Sequence, residues 1–203
     1  MIIAVLAALA TAWVAPPPVQ RDLIPFGARR KRETAAYNAR HYGRRRWRLR
    51  NPHVIVEHIA VAGSAAAVRN TFAPDVADPE LHELPGVCSH YVIGPRGDVH
   101  LLVSTSIRCR HTVGLNWTAI GIEHVGYRDG DLMGNRRELR ASLRLTRYLR
   151  CRFHIRLRDV IGHNESLSSP YHRERVRRLR TQTHGDMAHA TMVRYRRMLK
   201  ACP

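Results

Sequence analysis

The sequence predicts an α/β fold, a central mixed β-sheet flanked by helices. Three observations carry the prediction. Short apolar or alternating runs around residues 54–58, 89–93, 98–103, 118–125 and 159–163 have the two-residue period of strands. Segments with helical spacing separate them, chiefly 64–72, 136–153 and 187–199, and such interleaving suits a sheet covered by helices. At 203 residues the chain has room for one well-buried domain and hardly for two.

Taken in order, residues 1–15 are almost wholly apolar and are followed by Pro16, Pro17 and Pro18. That run is shorter than the ~20 residues of a spanning helix and reads as a signal or anchor segment, although no Lys or Arg precedes it. Residues 16–51 form a basic N-terminal arm containing the runs 29–32 and 44–50, with a short helix expected at 33–41. Pro52 opens the main domain, 52–203, and Val54, Val56 and His58 share one face of its first strand. An Ala-rich helix at 64–72 follows. Gly94-Pro-Arg-Gly97 then supplies the turn residues of a hairpin between 89–93 and 98–103.

The strand at 118–125 places Ile120 and Ile122 on one face and Ala119, Gly121, Glu123 and Val125 on the other. Ala119 and Gly121 are small, so open space is expected beside the Glu123 carboxylate. A buried carboxylate needs a positive or hydrogen-bonding partner. Residues 129–134 read as a loop, and 136–153 as a long helix with an apolar stripe of Leu139, Leu143, Leu149 and Phe153. A last short strand at 159–163 delivers His163, an Arg-rich helix is expected near 172–180, and 187–199 forms the final helix.

The charge balance is unusual: 34 Lys and Arg against 16 Asp and Glu give a formal net charge of +18. Such an excess fits polyanionic surroundings, whether nucleic acid, anionic lipid or an anionic wall polymer, or else solvated Arg-rich faces. Cys88, Cys109, Cys151 and Cys202 lack the paired spacing of a structural zinc site. In an exported chain they allow up to two disulfides, in three connectivities, with buried free thiols as the alternative.

Among the 13 histidines, three stand out by position. His58 and His163 each end an apolar strand, and His184 lies in a Gly-containing turn two residues before Asp186. Two imidazoles and a carboxylate make a catalytic zinc set with one position left open. No local H-E-x-x-H motif supports it, so spacing alone leaves the set as one reading among several.

The strand and histidine phrases together resemble the zinc-dependent N-acetylmuramoyl-L-alanine amidases of the type 2, peptidoglycan-recognition-protein-like family. The matching stretches are 54–58 (VIVEH), 89–97 (SHYVIGPRG), 110–116 (RHTVGLN), 119–126 (AIGIEHVG), 160–163 (VIGH) and the His184-x-Asp186 pair, in family order. The resemblance implies a mixed sheet with flanking helices and one Zn2+ held by His58, His163 and Asp186. It implies Glu123 as the catalytic carboxylate, His184 as a second catalytic group at a position where relatives often carry Lys, and His111 and Asn116 as substrate-binding residues. His90 falls on a structural histidine, and Ser89 stands where some relatives have Tyr. The implied substrate is peptidoglycan, cut between N-acetylmuramic acid and L-alanine, with a secreted or wall-associated monomer as the enzyme.

Two features depart from the family pattern. The stretch 165–182 is long, and within it Glu165, His172 or Glu174 compete with Asp186 as the third ligand. The basic arm has no counterpart in the common core and could hold the protein on anionic wall polymers. Two other readings compete: a non-catalytic peptidoglycan-binding domain, and a basic nucleic-acid-binding protein. The second lacks a recognisable module and sits badly with an export segment, so no nucleic acid partner is expected. A zinc deaminase is excluded because His163-Asn-Glu165 is not followed by Pro-Cys-x-x-Cys.

Overall fold

The computed structural model describes residues 14–203, so the expected signal or anchor segment lies outside the described residues except for Val14 and Ala15. The elements run β1 (Gln20–Arg21), α1 (Ala28–Tyr42), β2 (Val54–Ile59), α2 (Ala65–Phe72), β3 (Tyr91–Ile93), β4 (Val99–Leu101) and β5 (Ala119–His124). They continue with α3 (Asp129–Gly134), α4 (Arg136–Arg152), β6 (Val160–Gly162) and α5 (His189–Met198). The six strands form one mixed sheet in the order β1-β4-β3-β5-β2-β6. β3, β5, β2 and β6 run parallel, while β4 is antiparallel to β3 and β1 parallel to β4. No helix of the described residues is long and apolar enough to cross a membrane.

The central strands β2 and β5 are buried on both faces. One face carries Ile55, Ile59, Ile120 and Ile122 into the larger core with Leu145, Leu149 and Tyr195. On the other face Val92 and Val125 pack with α2, and Val54, Val56 and Ala119 pack with Leu115. Ser64 caps α2 by accepting from the Ala67 N–H, as its position ahead of an Ala-rich run requires.

The long helix α4 does not present the apolar stripe expected of it. Leu139, Leu143 and Phe153 are only partly buried, and the inward face is Glu138, Ser142, Leu145, Thr146 and Leu149. The sheet beneath is itself polar there. Thr146 Oγ1 donates to Glu57 Oε1 at 2.7 Å, and Ser142 Oγ lies 2.8 Å from His124 Nε2. Tyr195 of α5 joins both hydroxyls. Buried polar groups must be paired, so hydroxyls on the helix replace leucines.

Two further expectations are corrected. Residues 129–134 form helix α3 rather than a loop, its start stabilised by acidic Asp129 and Asp131. Of the expected helix at 172–180 only the 3-10 turn Arg177–Leu179 forms. The basic arm packs on the sheet: β1 extends it, and α1 is longer than expected. Arg30, 2% exposed, donates to the carbonyls of Pro25, Phe72, Ala73, Gly86 and Val87. The cysteines pair as Cys88–Cys109 and Cys151–Cys202.

Candidate metal centre

Parallel pairing of β2 and β5 sets His58 directly beside Glu123, so both side chains leave the same face of the sheet. β6 ends at Gly162, and His163 follows at once on a 3-10 turn. Asp186 enters from the turn before α5. The carboxyl ends of parallel strands are where open α/β sheets place ligands.

His58 Nδ1 lies 3.1 Å from His163 Nδ1. The Asp186 carboxylate stands 3.6 Å from the first ring nitrogen and 3.4 Å from the second. Donors bound tetrahedrally at zinc distances stand roughly 3.3 Å apart, so this donor set has the size and chemistry of a zinc site. His58, His163 and Asp186 are the group among the described residues that could hold a metal ion. Glu165 is instead paired with Arg196, Glu174 with His41, and His172 lies against Gly114, so none of these rivals enters the cluster.

The neighbouring structure holds this geometry. The Ile59 N–H donates to Asp186 Oδ2 at 3.1 Å, and the Asn164 N–H donates to the Asp186 carbonyl at 3.0 Å. Asp129 accepts from the N–H groups of Met187 and Ala188, clamping the turn just beyond Asp186. Outer partners of this kind orient ligands and set their basicity.

Electrostatics divide the roles. Burial pushes the His163 pKa down to about 4, leaving the neutral imidazole that metals require. Burial disfavours charge on His58 too, but Glu123 and Asp186 outweigh it and raise its pKa. Burial also opposes the Asp186 charge, yet bonds to His163 and His58 hold its carboxyl well below the ordinary range. Glu123 is pushed up to about 7, first by burial and then by Asp186, against the pull of His58 and His184. A carboxyl poised near neutrality can both take and return a proton.

The space beside Glu123 is not open, as the small residues had implied. A Cβ on Gly121 would lie 2.8 Å from the His111 ring and from Ser89 Oγ, so the glycine makes room for His111. His58 Nε2 is 3.1 Å from His111 Nδ1, which is 2.9 Å from Thr112 Oγ1. His58 thus turns its Nδ1 to the cluster and faces His111 through Nε2. Burial and the neighbouring histidines keep the His111 pKa well below its ordinary value, as an acceptor requires. His111 Nε2 makes no hydrogen bond of normal geometry, although the Ala119 carbonyl pulls the ring pKa partly back up.

Asn116 is 1% exposed and engaged inside the protein. Its Oδ1 accepts from the N–H groups of His111 and Thr112, and its Nδ2 donates to Tyr37. It therefore shapes the loop that carries His111. His184 stands at the mouth, half exposed, its ring 4.6 Å from that of His163 and its Nε2 3.0 Å from Glu80 Oε2. His90 is buried, bonded to the Ile107 carbonyl and accepting from the Gly121 N–H. A cavity of ≈ 60 Å³ beside His163 is lined among others by Asp78, Glu80, Arg110, His111 and His184. Thr112, Glu80 and the buried Asp78–Arg110 pair were not singled out from sequence. Only the position of Thr112 beside His111 could have signalled one of them.

The N-acetylmuramoyl-L-alanine amidase family profile matches residues 48–183, which include His58, Glu123 and His163 and end just short of Asp186. No curated protein sequence matches at a significant level. Among solved structures, an endolysin N-acetylmuramoyl-L-alanine amidase, LysCS of Clostridium intestinale, shares 17% identity at TM-score 0.54, covering 92% of this chain and 99% of its own. A mutant endolysin from Bacillus subtilis shares 19% at 0.51 over 80% and 91%, and PlyL 12% at 0.53 over 92% and 99%. At such identities the likeness is one of fold. The profile spans most of the chain and contains the strand ends from which the site is built, and the chain belongs to the N-acetylmuramoyl-L-alanine amidase family.

Proposed function

We propose that the protein is a zinc-dependent enzyme that cleaves the amide between N-acetylmuramic acid and the L-alanine of the stem peptide, acting on peptidoglycan outside the cytoplasm. The observation that carries this reading is the convergence of His58, His163 and Asp186 at tetrahedral donor spacing, with Glu123 in register beside His58. His58, His163 and Asp186 would hold the ion, and zinc at such a site supplies Lewis acidity toward a carbonyl and toward water.

The remaining steps belong to the chain's own residues. Glu123 takes a proton from the attacking water as its oxygen bonds to the carbonyl carbon. Glu123 then returns that proton to the nitrogen as the carbon–nitrogen bond breaks, leaving a free amine and a carboxylic acid that ionises to the carboxylate by giving its proton to the amine or to solvent. His184, at the mouth, donates a hydrogen bond to the oxyanion once Glu80 releases it. His111 keeps His58 in the tautomer that presents Nδ1 to the cluster. Asn116 supports the groove by fixing the His111 loop. The basic surface favours retention on anionic wall polymers.

The test is mass spectrometry of purified peptidoglycan after digestion, with chelator, with zinc restored, and with Glu123→Ala. Free stem peptides beginning at L-alanine, lost on chelation and regained with zinc, are expected, as is a near-inactive Glu123→Ala that still binds zinc. Binding of muropeptides without release of peptide would replace this reading with a recognition domain.

A further inference from the structure

The basic segment following α1 is not a loose tail. The Arg108 N–H donates to the Trp47 carbonyl at 2.9 Å and the Leu49 N–H to the Ser106 carbonyl at 2.8 Å. Arg48 forms a bridge with Ile107, and Leu49 is buried at 4%. The segment is therefore pinned at Trp47–Leu49, through a single antiparallel bridge, against the loop that leads to the Cys88–Cys109 disulfide. Leu49 is turned inward, while Arg46, Arg48 and Arg50 are exposed to solvent.

These arginines line a cleft of ≈ 310 Å³ whose lining is Arg45, Arg46, Trp47, Arg48 and Arg50, with no acidic residue among them. Among the described residues none of Arg44, Arg45, Arg46, Arg48 or Arg50 forms an ion pair, whereas Arg29, Arg30, Arg40, Arg69 and Arg110 elsewhere do. Adjacent unneutralised guanidinium groups repel one another, and an anion relieves that repulsion. The planar guanidinium matches phosphate oxygens two at a time.

We propose that the Arg45–Arg50 cleft is a binding site for a wall-borne phosphodiester polymer, engaging Arg46, Arg48 and Arg50 with successive phosphates. This rests on the wall-directed reading of the active site and adds where the wall is gripped. Single-stranded nucleic acid offers the same phosphates but also needs free aromatic faces for its bases. The single aromatic here is already engaged, with Lys31 at 5.0 Å and Arg48 at 4.5 Å from the Trp47 ring centre. That difference favours the polymer without bases.

The experiment measures retention of the full chain on insoluble walls, intact or stripped of phosphodiester polymers, across a salt series. Three proteins are compared: wild type, the triple variant Arg46→Gln, Arg48→Gln, Arg50→Gln, and a control of equal charge, Arg136→Gln, Arg140→Gln, Arg144→Gln on exposed α4 positions. Wild type is expected to bind intact walls at least ~10-fold more tightly than stripped ones. The cleft variant should lose that difference and lower the log–log salt slope by roughly 2 to 3, as three lost phosphate contacts require. The control should keep both.

Equal losses in both variants would show net charge without a site and overturn the proposal. So would a cleft variant that binds like wild type, or wild type binding single-stranded DNA more tightly than intact walls through these three arginines. Turnover of a soluble muropeptide is read in parallel. It should be unchanged in the cleft variant, and its absence in wild type with retention intact would refute the amidase reading while leaving the cleft standing.

Discussion

Gly162→Ala tests how Asp186, the proposed third ligand, is held. Gly162 ends β6 immediately before His163, and a Cβ placed on it would lie 1.8 Å from the Met187 carbonyl oxygen and 2.7 Å from the Met187 carbonyl carbon. An ordinary contact needs roughly another 1.5 Å of separation, and the obstructing atoms are backbone, which cannot rotate away. The retreating peptide joins Met187 to Ala188, one residue beyond Asp186, and Asp129 holds its N–H and that of Met187. Overpacking of this kind costs about 1–3 kcal/mol of stability. Displacement of a ligand's support weakens metal binding about 10- to 100-fold. A misplacement near 1 Å costs on the order of 100-fold in turnover. The assay is chelator competition for zinc affinity, with thermal unfolding in the presence and absence of zinc and turnover of a soluble muropeptide. Zinc affinity and melting temperature equal to wild type would refute the close-approach argument. A loss of stability with zinc affinity intact would show that the Asp186 turn moves independently of the β6 end.

Three more expectations follow from the same structure. Glu80→Ala removes the contact with His184 and Gln182 at the mouth of a cavity of ≈ 60 Å³, smaller than ligand sites of about 300 Å³ or more, so the mouth must open. Stability should change by less than about 1 kcal/mol because the pair is exposed. KM for a soluble muropeptide should fall several-fold, whereas a raised KM would show that Glu80 holds substrate. Glu138 is pushed up to about 7 by burial, with Asp98 and Asp131 adding to it, from an ordinary 4.5. Between those values the folded chain keeps a proton that the unfolded chain has lost, so this group's contribution to stability declines as pH rises from about 4.5 to about 7. Denaturant titration should show Glu138→Gln gaining on wild type across that window, by on the order of 1 kcal/mol per unit, and a constant difference would contradict the shift. Cys202→Ser opens a link that spans 51 residues and should cost about 2–4 kcal/mol in denaturant unfolding, with zinc affinity unchanged.

Much of the fold was legible because its strands carry strong local signals. The runs at 54–58, 118–125 and 159–163 became β2, β5 and β6 with small changes of boundary, and Ser64 announced the start of α2. The hairpin followed from Gly94-Pro-Arg-Gly97. The miss on α4 has a physical cause. Leucine spacing predicted its inner face, but the face is chosen by what lies across from it, and Glu57 and His124 demanded Ser142 and Thr146. Residues 172–180 carried the charge of a solvated helix, yet Glu174 is drawn to buried His41 and the segment is held as a loop.

By itself the sequence determined that apolar strands end in His58 and His163, that Glu123 lies on a strand face with small neighbours, and that Asp186 follows a turn. Each is a local property of side-chain period and turn chemistry. Only the tertiary structure decided that β2 is flanked by β5 and β6, which brings Glu123 to one side of His58 and His163 to the other. It also brought Asp186 beside His58 and His163 while giving Glu165, His172 and Glu174 other environments, and it filled the gap beside Gly121 with His111. Strand order and the pairing of distant charges depend on contacts far apart in the chain, and no local pattern encodes them.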